Sequence, residues 1–133
     1  MKITLYQIIA KPENRYLIFS GLKSIREASG GRVPAEIYEA VFSGDPDIAV
    51  PRNAKNETDQ QLAELEAVFI HFNASYPEGF LGRSMTTSDV VEVIRSEEES
   101  RFFFCDRFGF EEIAFEKEKA DFGCLQGAER TQS

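Results

Sequence analysis

A chain of 133 residues with 42% hydrophobic and 29% charged residues suits one soluble domain around one core. Its formal net charge is −8, with eight Lys or Arg against ten Asp or Glu over residues 1–66 and seven against thirteen over 67–133; this disfavours direct nucleic-acid binding through a broad basic face. No apolar run approaches the roughly 20 residues that a membrane-spanning helix needs, and Met1–Ala10 is too short for the apolar region of a signal peptide, so no membrane association is expected and the cytoplasm is the expected compartment.

Ile3–Ile9 alternates β-branched, aromatic and polar residues and predicts a strand. Lys11-Pro12-Glu13-Asn14 has turn chemistry, and Tyr16–Phe19 then reads as the returning strand of an N-terminal hairpin. Leu22, Ile25 and Ala28 follow at helical spacing, and Gly30-Gly31 ends that short helix. Ile37–Phe42 suits either a helical face or a strand, and the strand is taken. Ser43–Glu57, broken by Gly44, Pro46, Pro51 and Asn53, is a long loop.

Thr58–Asn73 is the clearest helix. Thr58 and Gln61 have the spacing of a capping box, and Leu62, Leu65, Val68, Phe69 and Phe72 fall on one face. Tyr76-Pro77-Glu78-Gly79 turns the chain, and Phe80 and Leu81 are expected to tuck back onto the core. Asp89–Arg95 and Arg101–Asp106 are apolar on both faces, which predicts two central strands joined by the acidic turn Ser96–Ser100. Gly109 between Phe108 and Phe110 marks a bend, and Glu111–Phe115 is one further strand. The expected division is one domain over residues 1–115 and a charged, then polar, tail over 116–133.

The chemistry-bearing residues are few. His71 is the only histidine, so a His pair for metal or a His relay is excluded. It falls in the last helical turn, in line with Glu64 and Ala67, where a cationic imidazole suits the helix dipole. Two cysteines, Cys105 and Cys124, do not make a disulfide framework. Arg107 next to Cys105-Asp106 invites a nucleophile reading, against which stands the Phe-rich strand holding that thiol. Ser84, Thr86, Thr87, Ser88 and Asp89 form a hydroxyl-rich corner of the kind that fixes turns through backbone hydrogen bonds. Asp89 and Asp106 are a possible carboxylate pair; the plainer roles are turn capping for Asp89 and pairing with Arg83 or Arg107 for Asp106. Lys11, Arg15, Lys23, Arg26 and Arg32 make a local basic patch, read as solvated surface. No phosphate-binding glycine loop, Ser/His/Asp set or zinc spacing occurs, so no catalytic residue, metal site or cofactor is assigned.

The order of these pieces resembles the YodL-like domain family. Leu5-Tyr6-Gln7, Tyr16–Phe19, Leu65–Asn73 and Pro77-Glu78-Gly79-Phe80 carry part of the match. The specific blocks are Gly82-Arg83-Ser84-Met85-Thr86-Thr87-Ser88-Asp89-Val90-Val91 and Cys105-Asp106-Arg107-Phe108-Gly109-Phe110. Gly79 stands where the family more often has an acidic residue, and Cys105 where it more often has Val or Tyr. The resemblance implies a small cytoplasmic protein or module of Firmicutes, found on conjugative or other mobile elements, and assigns no catalytic residue.

The expected fold is therefore α+β, a mostly antiparallel sheet of about five or six strands with one main helix packed on a face. The expected function is a non-enzymatic accessory or protein-interaction module. Its contact residues are expected among Phe80, Arg83, Ser84, Asp89, Asp106, Arg107, Phe108 and Phe110, since loops held by a rigid sheet often carry function. Two other readings are an acidic DNA mimic that antagonises a DNA-processing enzyme, and an enzyme using Cys105 or the Asp89/Asp106 pair. The sequence specifies no oligomeric state.

Overall fold

The computed structural model describes residues 1–125. Five strands, β1 (Lys2–Ile8), β2 (Tyr38–Gly44), β3 (Val90–Ile94), β4 (Ser100–Cys105) and β5 (Phe110–Ile113), form one sheet in the order β2-β1-β3-β4-β5. Every neighbouring pair is antiparallel. With the short helix α1 (Leu22–Ala28) and the main helix α2 (Glu57–Ala74), this is the expected α+β architecture.

Both faces of the sheet are covered, as the two-sided apolar strands predict. Successive strand side chains point to opposite faces, so Ile3, Leu5, Val91, Val93, Phe103 and Cys105 pack beneath α2. Tyr6, Ile8, Val90 and Phe104 pack on the other side with Leu22 and Ile25 of α1. β2 carries one extra residue where Leu5 faces Phe42 and Tyr6 faces Ala40. This bulge at Val41 turns two consecutive side chains, Val41 and Phe42, toward α2.

The N-terminal hairpin does not form. β1 is bonded to β2 on one edge and β3 on the other, which leaves no edge for Tyr16–Phe19. Pro12–Leu17 instead makes a 3-10 helix with Pro12 in its first turn, fastened by Asn14 Nδ2 donating to the Ile9 carbonyl at 3.1 Å. Phe19 then turns outward through a positive φ of 74°.

Helix α2 starts one residue before the expected position. Its N-cap is Asn56, whose Oδ1 accepts the Asp59 amide at 2.8 Å, and Thr58 lies inside the first turn. The buried stripe is Gln61, Glu64, Leu65, Val68 and Phe72. Phe69 is partly buried and Leu62 is exposed, so the stripe is rotated from the purely apolar one. The cause is Arg95, at the end of β3, which draws Gln61 Oε1 and Glu64 Oε1 (3.3 Å) toward the sheet. Glu64 therefore lies on the sheet side, not on the outer face assigned with His71.

Beyond Phe115 the chain runs back along β2. Asp121 bridges Glu39 in parallel, its amide donating to the Tyr38 carbonyl and its carbonyl accepting from Ala40, both at 2.9 Å. The Phe115 and Phe122 rings stand 4.9 and 6.0 Å from that of Tyr6. The polar composition read as a tail thus includes, as far as Phe122, a segment fixed to the sheet; residues 126–133 lie outside the described residues.

Two phenylalanines of one short stretch make a clean contrast. Phe104 is fully buried and Phe108 is 96% exposed. Phe104→Ala should lower the unfolding free energy by about 3–5 kcal/mol, and Phe108→Ala by less than about 0.5 kcal/mol. Urea titration of both variants measures the difference.

Candidate functional site

The specific sequence blocks meet at one end of the sheet, where β1 finishes, β3 begins and β4 ends. Val90 pairs with Phe104 on one side and Tyr6 on the other, so Asp89, Cys105 and Gln7 are brought to the same border. α2 also finishes there, since the Met85 amide donates to the Phe72 carbonyl.

At this border Gln7, fully buried, clamps the segment that leads into β3. Its Nε2 donates to the Arg83 carbonyl at 2.8 Å and to Asp89 Oδ2 at 3.0 Å, while its Oε1 accepts the Arg83 amide at 3.0 Å. Asp89 Oδ2 also accepts the Thr86 amide at 3.0 Å, and the Thr86 carbonyl accepts the Asp89 amide. Arg83 Nη2 donates to the Ile8 carbonyl at 3.0 Å. Gly82 is required because a Cβ there would collide with Gln7 Oε1 and lie 2.9 Å from Val41 Cβ. Ser88 takes a positive φ of 90°, accepts the Phe19 amide on its hydroxyl at 3.4 Å, and offers its carbonyl to the Tyr38 hydroxyl at 2.6 Å.

The electrostatics of the clamp follow from its dryness. Asp89 has no exposed surface, and burial raises its carboxyl from 3.8 to about 7 against the lowering effects of Gln7, the Thr86 amide and Arg83. Asp89 Oδ1 and Arg83 Nε are buried without a hydrogen-bond partner among the described residues. Cys105 is pushed up to about 12, first by burial and then by the Asp89 and Asp106 carboxylates. A protonated, buried thiol is a poor nucleophile, so the effect proposed for Arg107 on this thiol is overridden.

Asp106 does not pair with Arg83. Its Oδ1 accepts the Leu22 amide at 3.2 Å and the Arg107 amide at 2.9 Å, tying the start of α1 to the β4–β5 turn. That turn closes with the Asp106 amide on the Gly109 carbonyl, Gly109 having a φ of 79°. Phe80 packs edge-on against Phe72 with centroids 4.9 Å apart, whereas Leu81 is exposed and uses its amide to bind the Val41 carbonyl. Ser84 is exposed and shares a hydrogen bond with the Tyr76 hydroxyl. The eight expected contact residues thus divide. Asp89 and Phe80 serve the interior, Arg83 and Asp106 fasten backbone, and Ser84, Arg107 and Phe108 face solvent with Phe110 half-buried.

Arg107 and Phe110 border a groove of about 330 Å³ with Phe69, Ile70 and Glu66 of α2. Ile70 is 64% exposed, and Phe19 and Tyr76 are exposed at the same end of the sheet. Among the described residues no three His, Cys, Asp or Glu side chains gather as a metal-binding group. No helix among them is long and apolar enough to cross a membrane.

Sequence reasoning gave no buried role to Gln7, Gln61, Glu64 or Glu92. Glu92 is buried in the middle of β3, where its Oε1 accepts the Tyr6 hydroxyl at 2.8 Å and its Oε2 accepts Lys117 Nζ at 2.9 Å. Burial, then the bond to Glu92, raises the Tyr6 phenol well above its ordinary value. The available signal was a single polar residue inside a strand apolar on both faces, as in Tyr6-Gln7-Ile8 and Val91-Glu92-Val93.

The fold and the clamp define an α+β sheet domain whose motif residues are mainly structural. A family model described as the YodL-like domain matches residues 2–115, and the chain belongs to that family. Comparisons with curated proteins and with solved structures give no match.

Two outcomes test the clamp. The folded state keeps the Asp89 proton to about pH 7 whereas the ordinary carboxyl releases it near 3.8. Its contribution to stability is therefore present below about pH 4 and lost as the pH rises through about 7. Asp89→Asn should remove this component, so the stability difference between variant and parent should change with pH over that window in urea titrations. Gly82→Ala should cost about 1–3 kcal/mol by forcing Gln7 and Val41 apart, read by thermal unfolding.

Proposed function

We propose that this chain is a non-enzymatic accessory module that binds a protein partner through the end of the sheet where α2 finishes and the β4–β5 turn projects. The observation that carries the reading is Phe108, 96% exposed on a turn held by Asp106 and Gly109, next to Arg107. Scattered apolar residues are normal on a surface; an aromatic and an arginine on a rigid turn beside a groove lined by Ile70 and Phe110 are the pattern of an interface anchor. On this reading the module works in the cytoplasm and is carried on conjugative or other mobile elements, as the sequence resemblance implies.

The acidic-mimic reading needs free carboxylates in a phosphate-like row. Glu36, Glu64, Glu92, Glu112 and Glu116 are each paired with Lys or Arg within the chain, which removes these five carboxylates from such a row. An enzyme built on Cys105 is disfavoured by the raised thiol, and one built on Asp89 by the absence of exposed surface.

The test is a photo-crosslinking residue at position 108, with one at position 97 as control, in the host cell. A discrete protein adduct from 108 alone supports the reading. Phe108→Ser with Ile70→Ser should then weaken the identified partner by at least about tenfold. Equal adducts from both positions, or unchanged affinity, overturn it.

A further inference from the structure

We infer that the outer edge of β5, with the groove between it and α2, takes an extended segment of a basic partner protein as an added strand. The inference deepens the interaction-module reading and rests on it. The two edges of the sheet are treated unequally. On β2 the outer backbone is occupied: Asp121 exchanges hydrogen bonds with Tyr38 and Ala40, and the Leu81 amide binds the Val41 carbonyl, all at 2.9 Å. On β5, among the described residues, no segment other than β4 hydrogen-bonds the backbone of Phe110–Ile113. Unpaired strand backbone is a template for an incoming strand.

The groove beside that edge is apolar at its floor. α2 packs over β1, β3 and β4 and stops short of β5, leaving about 560 Å³ lined by Leu62, Leu65, Phe103 and Phe110 together with the polar side chains of Glu57, Gln61, Arg101 and Glu112. The 330 Å³ hollow at Ile70 and Phe110 lies farther along α2. Side chains of an added strand alternate. Every second residue enters this groove on the side of Phe110, and those residues must be apolar.

The charge around the edge chooses the partner. Glu57, Glu66 and Glu111 are exposed and have no ion-pair partner among the described residues, while Arg101 is held by both oxygens of Glu112. Among the described residues, Arg107 is the one other cation lining these grooves. The residues that alternate with the apolar ones point to the other face, where Glu111 stands, so Lys or Arg at those positions complements it, with Glu57 and Glu66 adding negative charge around the groove. A second copy of this chain is a poor occupant. Two β5 edges meeting antiparallel would set Glu111 and Glu112 against the same residues, and like charges across a strand pair destabilise it.

The experiment uses the full chain and three labelled seven-residue peptides: alternating Val and Lys, alternating Val and Glu, and the Val/Lys peptide N-methylated on every second residue, in both phases. Fluorescence anisotropy should show the Val/Lys peptide binding at least about tenfold tighter than Val/Glu, with one methylated phase losing binding. Hydrogen exchange should slow at Phe110–Ile113. Glu111→Lys, at an exposed position on the face that the charged side chains of the peptide meet, should abolish the preference for the Val/Lys peptide. Equal binding of the two charge patterns, indifference to both methylation phases, or protection elsewhere overturns the inference. Protection of 110–113 in the chain alone, with a dimer by sedimentation equilibrium, overturns it in favour of a second copy. If the peptides fail while the position-108 adduct persists, the module reading stands and only the edge-strand inference falls.

Discussion

Gln7 holds the two halves of this fold in register. It sits one residue from the end of β1, and its side-chain amide makes three hydrogen bonds to the segment entering β3. No backbone ladder can do this, because the segment 82–89 approaches β1 end-on and not as a strand. The clamp converts a loop of small polar residues into a fixed arch, whose far side is closed by Ser88 on Phe19 and Tyr38. A buried amide satisfied at both its oxygen and its nitrogen specifies one geometry, since any slip strands a polar group in the core.

The same logic accounts for the other buried polar groups. Glu92 on one face and Glu64 on the other are each met by a cation whose side chain is about half exposed, Lys117 and Arg95. Each pair fastens something outside the sheet to it: Lys117 belongs to the segment returning along β2, and Arg95 fixes the first half of α2. Neither pair is required for apolar burial, and hydrophobic replacements often match such pairs in stability. What they supply is position, setting the rotation of α2 and the path of the chain after Phe115. The rotation of α2 leaves Leu62 and Ile70 facing the open side of the sheet.

Strands were legible wherever the chain was apolar on both faces, as at Val90–Ile94 and Ser100–Cys105, because burial on two sides leaves a local record in composition. The same record put α2 almost in place. Tyr16–Phe19 misled because its β-favouring residues are local, while the lack of a free edge on β1 is not. A 3-10 helix with Pro12 in its first turn leaves no periodicity to detect. The rotation of α2 was hidden for a related reason: Arg95 is over thirty residues from Gln61 and Glu64, and the apolar pattern of the helix does not mention it. Within the candidate site, the turn-fixing character of the Ser/Thr/Asp corner was readable, since such residues bond nearby backbone; that its anchor is Gln7, 82 residues from Asp89, was not.

A family motif is often taken for a functional centre, and the division of labour here argues for separating the two. Gly82, Arg83 and Asp89 are fixed by packing and by the clamp, and Asp106 ties the start of α1 to the β4–β5 turn. Every one of them would be needed by a sheet that binds nothing. Phe108 and Arg107 are different: their side chains leave the framework, and no hydrogen bond within the described residues uses the Arg107 guanidinium. The turn that carries them is closed by the Asp106 amide on the Gly109 carbonyl, so the proposed binding through Phe108 would cost little ordering of the backbone. The structural motif thus holds in place two side chains, those of Arg107 and Phe108, that the framework does not itself employ.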